Sequence, residues 1–238
     1  MEEGFEDWRT SGHLNEVKNQ ETGDCCFAFT ACAAVEVLHH KHPDSQIRVV
    51  LSCQDLWNNL VTVDQTEPGC SILDTLKWIY FNGCVLEEHC PYLGRLQPPI
   101  PLEDRRVKMR IKTLKPVLRK NMEYEVYRGP VIVEIDWLQE MDLIRGDGIY
   151  SGPLRASTFK NGKIEKHGVL VVGFGAQMEG DELIKFWIIQ NSHGSGWGHN
   201  GYAKFNRAKI HNRYLINDGW TVVGISYCDL EGHPYEEL

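Results

Sequence analysis

The chain has 238 residues, 42% of them hydrophobic and 24% charged, with a formal net charge of −8. That length supports one large domain or two lobes around a sizeable core and excludes disordered and fibrous classes. The acidic balance excludes nucleic acid as the main partner, because phosphate binding requires a basic surface, and no apolar run approaches the roughly 20 residues of a membrane span.

In chain order, the opening MEEGFEDWRT has neither the basic region nor the apolar run of a signal peptide, which predicts a cytoplasmic protein. Asp24 is a predicted N-cap, and Cys25 to about Leu38 contains neither Gly nor Pro. Apolar residues go almost all the way round this segment, the pattern of a buried helix. The His39–His42 run HHKH then sits at its C-terminal end, where cationic side chains suit the helix dipole. A second helix is predicted at LSCQDL, with Ser52 and Asp55 at capping-box spacing and Leu51 and Leu56 at staple spacing. A third, SILDTLKWIYFNG, places Ile72, Leu76, Ile79 and Tyr80 on one face and stops at Asn82-Gly83.

After the proline-rich connector Gln97–Asp104, the pattern changes to short β-type runs. Arg105–Lys120 carries eight basic residues without an aromatic for base stacking, and reads as a solvated strand and helix face. Strands are predicted from Pro130, Gly168, Leu183, Gly201 and Trp220, with turn signals between them. The eight cysteines show no C-x-x-C spacing, so neither a zinc site nor a disulfide-dense scaffold is expected. Helices followed by antiparallel strands predict an α+β fold, with a groove between lobes as the place for a site.

If HGVLVVGFG and ELIKFWIIQNS form a hairpin whose turn centres on Glu179, His167 falls opposite Asn191. Opposed residues share a face, so an asparagine amide there holds an imidazole in one tautomer. A thiol at a helix N-terminus complements such a base, since the exposed N–H groups stabilise thiolate. From the residues alone, a cysteine on a buried helix also reads as plain core and the His–Asn pair as a satisfied polar contact.

The order of blocks resembles the papain-like (cathepsin-type) cysteine proteases from Asp7 almost to the C-terminal end. The blocks are DWR at Asp7, VKNQ at Val17, CFAFT at Cys26, LSCQDL at Leu51, GPVIVEID at Gly129, GIYSGP at Gly148, HGVLVVGFG at His167 and FWIIQNSHGSGWGHNGY at Phe186. The resemblance implies a single 1–238 peptidase domain: a mainly helical lobe over 12–104, a mainly β lobe over 105–226 that is antiparallel and barrel-like, residues 1–11 packing on the latter, and an active-site cleft between. It implies Cys26 as nucleophile, six residues after Gln20, with Cys25 in a serine's place. His167 would be the base, Asn191 its orienter, and Gln20 an oxyanion donor. Ile72, Leu73, Gly168 and Trp197 would line the substrate groove. It further implies a monomeric endopeptidase working through a thioester, without metal or organic cofactor. Polypeptides would be its substrates and cystatin-like inhibitors its partners, in a vacuolar, lysosomal or extracellular setting at odds with the cytoplasmic reading of the N-terminus.

Several positions depart from the family pattern. Phe27 and His193 replace tryptophans, Asp24 adds negative charge near the thiol, and CSIL at Cys70 replaces a loop with two glycines. His193 is a smaller, more polar cover for the Asn–His bond and predicts a weakened thiolate–imidazolium pair. Gly23, Asn59 and Leu154 stand where disulfide cysteines are usual, so reduced thiols are expected. No family prosegment is recognisable before Asp7. These departures frame a second reading, a catalytically weak or inactive homologue that binds peptides or inhibitors.

Overall fold

The computed structural model describes residues 4–43, 45, 47–62, 69–101, 108–161 and 164–228. In chain order its elements are β1 (Glu6–Asp7), α1 (Cys26–His40), α2 (Cys53–Leu60), α3 (Ile72–Asn82), β2 (Cys84–Val85), β3 (Lys108–Val117), α4 (Met122–Arg128), β4 (Val131–Leu138), β5 (Ile149–Tyr150), α5 (Thr158–Asn161), β6 (Ile164–Glu179), β7 (Glu182–Gln190), β8 (Tyr202–Asn206) and β9 (Gly219–Cys228). Residues 102–107, including the start of the basic run, lie outside the described residues. The described part of that run is β3, paired on one side with β2 and on the other with β9, and then a 3-10 turn that begins at Arg119.

The helix starts follow from their caps. Cys25, not Asp24, is the N-cap of α1, and no side chain caps it; Ala28 N–H donates to Cys25 O at 2.9 Å, which leaves the Cys26 and Phe27 N–H groups for other acceptors. At α2, Ser52 Oγ accepts from Asp55 N–H at 2.8 Å. The box does not close, because Ser52 N–H goes to Val85 O and the Asp55 carboxylate accepts from Val85 N–H. The capping residues thus tie α2 to β2. Ser71 caps α3, which starts at Ile72, and Gly83 ends it at φ 74°, a left-handed backbone that suits glycine. Of the residues read at helical intervals in α3, Ile72, Leu76 and Ile79 are buried and Tyr80 is 40% exposed.

The barrel-like expectation is corrected by the sheet topology. The strands run in the order β2-β3-β9-β4-β6-β7-β8-β5, with β1 beside β6, and the end strands β2 and β5 are not paired with each other, so the sheet is open. It is also mixed, because β5 pairs β8 in parallel. The architecture is two-lobed and α+β around an open sheet. Hairpin register differs as well. On the predicted register Leu170 would face Ile188; it faces Gln190. The turn lies at Gly180-Asp181, between Glu179 and Glu182, and a bulge at Val172 shifts the ladder again.

Strand β6 separates two cores. Leu170 and Val172 pack with α1, α2 and α3, whereas Val169 and Val171 pack with β4, β7, β8 and α4. This is the period-two alternation of a strand buried on both faces. β1 lies close on β6, and a Cβ added at Gly173 would sit 2.4 Å from Glu6 O. Gly173→Ala is therefore expected to lift β1 off the sheet. Amide exchange should accelerate at Glu6 and Asp7 while β4 and β7 stay protected, and unchanged exchange at β1 would contradict this.

Candidate active site

The first turn of α1 faces β6 where β6 has no side chain. A Cβ at Gly168 would meet Ile72 Cδ1 at 3.0 Å, Thr30 Oγ1 at 3.2 Å and Cys26 O at 3.4 Å. Glycine there permits the close approach. Across the gap Gly168 N–H donates to Cys26 Sγ at 3.3 Å. The two adjacent thiols separate here: Cys26 is half-buried in the groove, while Cys25 is fully buried with Sγ 3.5 Å from Tyr92 Oη. The seven cysteines whose side chains are described form no disulfide with one another. Tyr92, Trp57 and Cys25 crowd the space beside Gly23.

One residue before Gly168, the alternation of β6 turns His167 to the opposite face. Its Nε2–H donates to Asn191 Oδ1 at 2.7 Å, and the same oxygen accepts Ser192 N–H at 2.8 Å. An amide oxygen only accepts, so two donors on one atom settle both the amide orientation and the ring tautomer. The neutral imidazole carries its hydrogen on Nε2, leaving Nδ1 with a free lone pair. Although β6 and β7 are out of the predicted register, His167 and Asn191 meet because Asn191 lies just past the end of β7, where its N–H bonds to Gly201 O.

Gln20 is held beside them by backbone lacing: Gln20 N–H donates to Ser192 O at 2.8 Å and Gly194 N–H to Lys18 O at 3.1 Å. Its side-chain amide is engaged at both ends, with Nε2–H on Gly23 O at 2.6 Å and Oε1 accepting from Ser192 Oγ at 2.5 Å. One Nε2 hydrogen remains for a ligand. Ile72 is buried against Gly168; Leu73 is half-buried on the first turn of α3. The two residues in the glycine positions are thus part of a capped helix. Trp197 is 3% exposed and donates from Nε1 to Met141 O at 2.8 Å, forming a wall rather than an open surface.

Sequence reasoning missed Trp137 and Glu134. The Trp137 ring lies 4.4 Å from that of His167 and 5.9 Å from that of Trp197, and His193 closes the cluster 5.0 Å from His167. The signal was present in β4: Ile135 pairs with His167 and Trp137 stands two residues on, so both point to one face. Glu134 pairs with Gly168 and so faces the thiol side.

Burial raises the Cys26 thiol above its ordinary range, against the pull of the Gly168 and Phe27 N–H groups, and Glu134 and Asp24 add to the rise. Burial pushes His167 down to about 4, opposed by the Asn191 bond and assisted by His193. Both shifts act against the thiolate–imidazolium pair, because burial favours the uncharged thiol and the uncharged imidazole. The unfolded chain protonates this histidine first, near its ordinary value of about 6.5. Stability should then fall as pH drops through about 6.5 towards about 4, by up to about 3 kcal/mol. Urea denaturation at stepped pH should show this slope in the wild type and its loss in His167→Gln; identical slopes would contradict the assignment.

The model of the papain family of cysteine proteases matches residues 4–222. Cathepsin 7 of Mus musculus is 29% identical over 219 residues, covering 85% of this chain and 60% of that protein. Fruit bromelain of Ananas comosus is 31% identical over 208 residues, covering 84% and 54%. The chain thus spans little more than half the length of these curated relatives. Among solved structures, the proform of the ragweed pollen cysteine protease Amb a 11 superposes with a TM-score of 0.74 at 23% identity, covering 92% of this chain and 64% of that one. The bromelain protease of Ananas comosus does so with 0.72 at 23%, covering 91% and 96%; both likenesses bear on the fold. The cathepsin and bromelain relatives are lysosomal or extracellular proteases, which overturns the cytoplasmic placement drawn from the first residues. Sequence, fold and the meeting of helix α1 with strand β6 lead to one conclusion: this chain belongs to the papain family of cysteine proteases.

Proposed function

We propose that this chain is a cysteine endopeptidase that hydrolyses extended polypeptides through a thioester. The observation that carries the reading is the juxtaposition of Cys26 Sγ, on Gly168 N–H at 3.3 Å, with the adjacent His167 held by Asn191 at 2.7 Å. Cys26 Sγ attacks the scissile carbonyl carbon as its proton passes to His167 Nδ1. The oxyanion is met by the remaining Gln20 Nε2 hydrogen and by Cys26 N–H. The tetrahedral intermediate expels the amine, which takes the proton from His167. Water, deprotonated by His167, then cleaves the thioester to the acid and restores the thiol. Because burial disfavours both charged forms, proton transfer to His167 accompanies attack in this reading.

The chain acts in this reading as one monomeric domain, helical over 12–104 and strand-rich over 105–226, with residues 1–11 on the strand-rich side; the β1–β6 pairing supports that placement. Cystatin-like inhibitors would enter the same groove. A second reading, a peptide-binding homologue of low turnover, is favoured by specific contacts: Ile72 packed on Gly168, the Gln20 amide tied to Gly23 O, and Glu134 and Asp24 opposing thiolate.

An epoxide thiol probe should label folded protein at Cys26 and leave Cys26→Ala unlabelled, and peptidase activity should disappear in the same variant. Tight peptide binding without cleavage, unchanged in Cys26→Ala, would establish the second reading instead. Glu134→Gln should speed labelling at pH 7 by removing one of the charges that raise the thiol, and a slower rate would contradict its facing Cys26.

A further inference from the structure

Behind the His167–Asn191 pair, between α1 and the ends of β6 and β7, lies a cavity of about 30 Å³ whose walls include Thr30, Ala33, Leu170, Gln190 and Asn191. Its charged residues are Glu16, Lys18 and Glu36, the last two 3.6 Å apart. These two are satisfied within the protein. Glu36 accepts from Leu51 N–H and Asn15 Nδ2, and Lys18 donates to Leu51 O and pairs with Glu87. Two other atoms are not. Gln190 Oε1 and Asn191 Nδ2 are buried and have no hydrogen-bond partner among the described residues, on side chains of residues only 8% and 4% exposed. One needs a donor and the other an acceptor. A cation would suit the oxygen and repel the N–H, and an anion would do the reverse, so a neutral group that both donates and accepts fits the pair. The space suffices for water, which needs about 10–15 Å³ of such volume. A third partner is at hand, because Thr30 Oγ1 donates to Cys26 O at 2.9 Å and keeps lone pairs free on the same wall.

We propose that Gln190 is a positioning residue, acting through an ordered water that accepts from Asn191 Nδ2 and donates to Gln190 Oε1 and Thr30 Oγ1. Asn191 Oδ1 is already held by His167 and Ser192; the water holds the opposite end of the amide, so the side chain cannot swing away to find a partner for its N–H. The chain of bonds also joins the orienter of His167 to the backbone of Cys26. The inference rests on reading Asn191 as that orienter.

The test uses the full chain, with Gln190→Leu, which removes the acceptor, and Gln190→Glu, which retains it. A crystal structure of the wild type should show water density within hydrogen-bond distance of both atoms. By NMR, the His167 Nε2–H resonance should be protected in the wild type, exchange at least about tenfold faster in Gln190→Leu, a factor equal to about 1.4 kcal/mol, and recover protection in Gln190→Glu. A dry cavity, unchanged exchange in Gln190→Leu, or equal acceleration in both variants would overturn the proposal. None of these readouts needs turnover. Absence of peptidase activity in all three proteins would therefore count against the proposed function alone, and the resonance would still decide the role of Gln190.

Discussion

The site depends on one strand having two buried faces at the point where a helix end arrives. At His167 and Gly168, neighbouring residues of β6 must project to opposite sides. Gly168 faces α1 and, having no side chain, lets the first turn of the helix come within hydrogen-bond reach of the strand backbone. His167 faces the other core, where Trp137 and His193 pack on its ring. A residue with a Cβ at position 168 would push against Thr30, Ile72 and the Cys26 carbonyl together, and the thiol would lose its bond to the Gly168 N–H.

The same burial that gives the site its geometry sets its electrostatics. Withdrawing water raises the thiol and depresses the imidazole, and the N–H groups of Gly168 and Phe27 offset only part of that effect for sulfur. Acidic Glu134 and Asp24 act in the same direction as burial. Burial thus favours the uncharged thiol and imidazole, and the ring tautomer is set by two donors converging on Asn191 Oδ1. Gln20 is a further instance of geometry bought from elsewhere in the chain: the bonds between residues 18–20 and 192–194 bring it into place.

Much of the local structure was legible because it depends on neighbours in sequence. Ser52 caps α2, Gly83 stops α3, and the strands from Val131, Tyr202 and Gly219 begin where turn residues end. Three features were not legible, for separate physical reasons. The α1 cap moved from Asp24 to Cys25 because no side chain cap forms there. Hairpin register shifted because the turn is centred on Gly180-Asp181 and Val172 bulges, each changing the count by a residue or so. The open, mixed sheet depends on β5 joining β8 in parallel, a pairing between segments about fifty residues apart that no local pattern announces.

By itself the sequence named the residues proposed to carry the chemistry and, through the order of its motifs, the family to which the chain belongs. Periodicity and caps are properties of a few consecutive residues, so they survive without knowledge of the fold. Tertiary structure decided whether those residues meet and in what state of charge. It placed Asn191 against His167 despite the changed register, put a buried Ile72 in one of the glycine positions, and enclosed Cys26 and His167 so that burial disfavours their charged forms. Distance and desolvation are set by segments far apart in the chain, and only the folded arrangement brings them together.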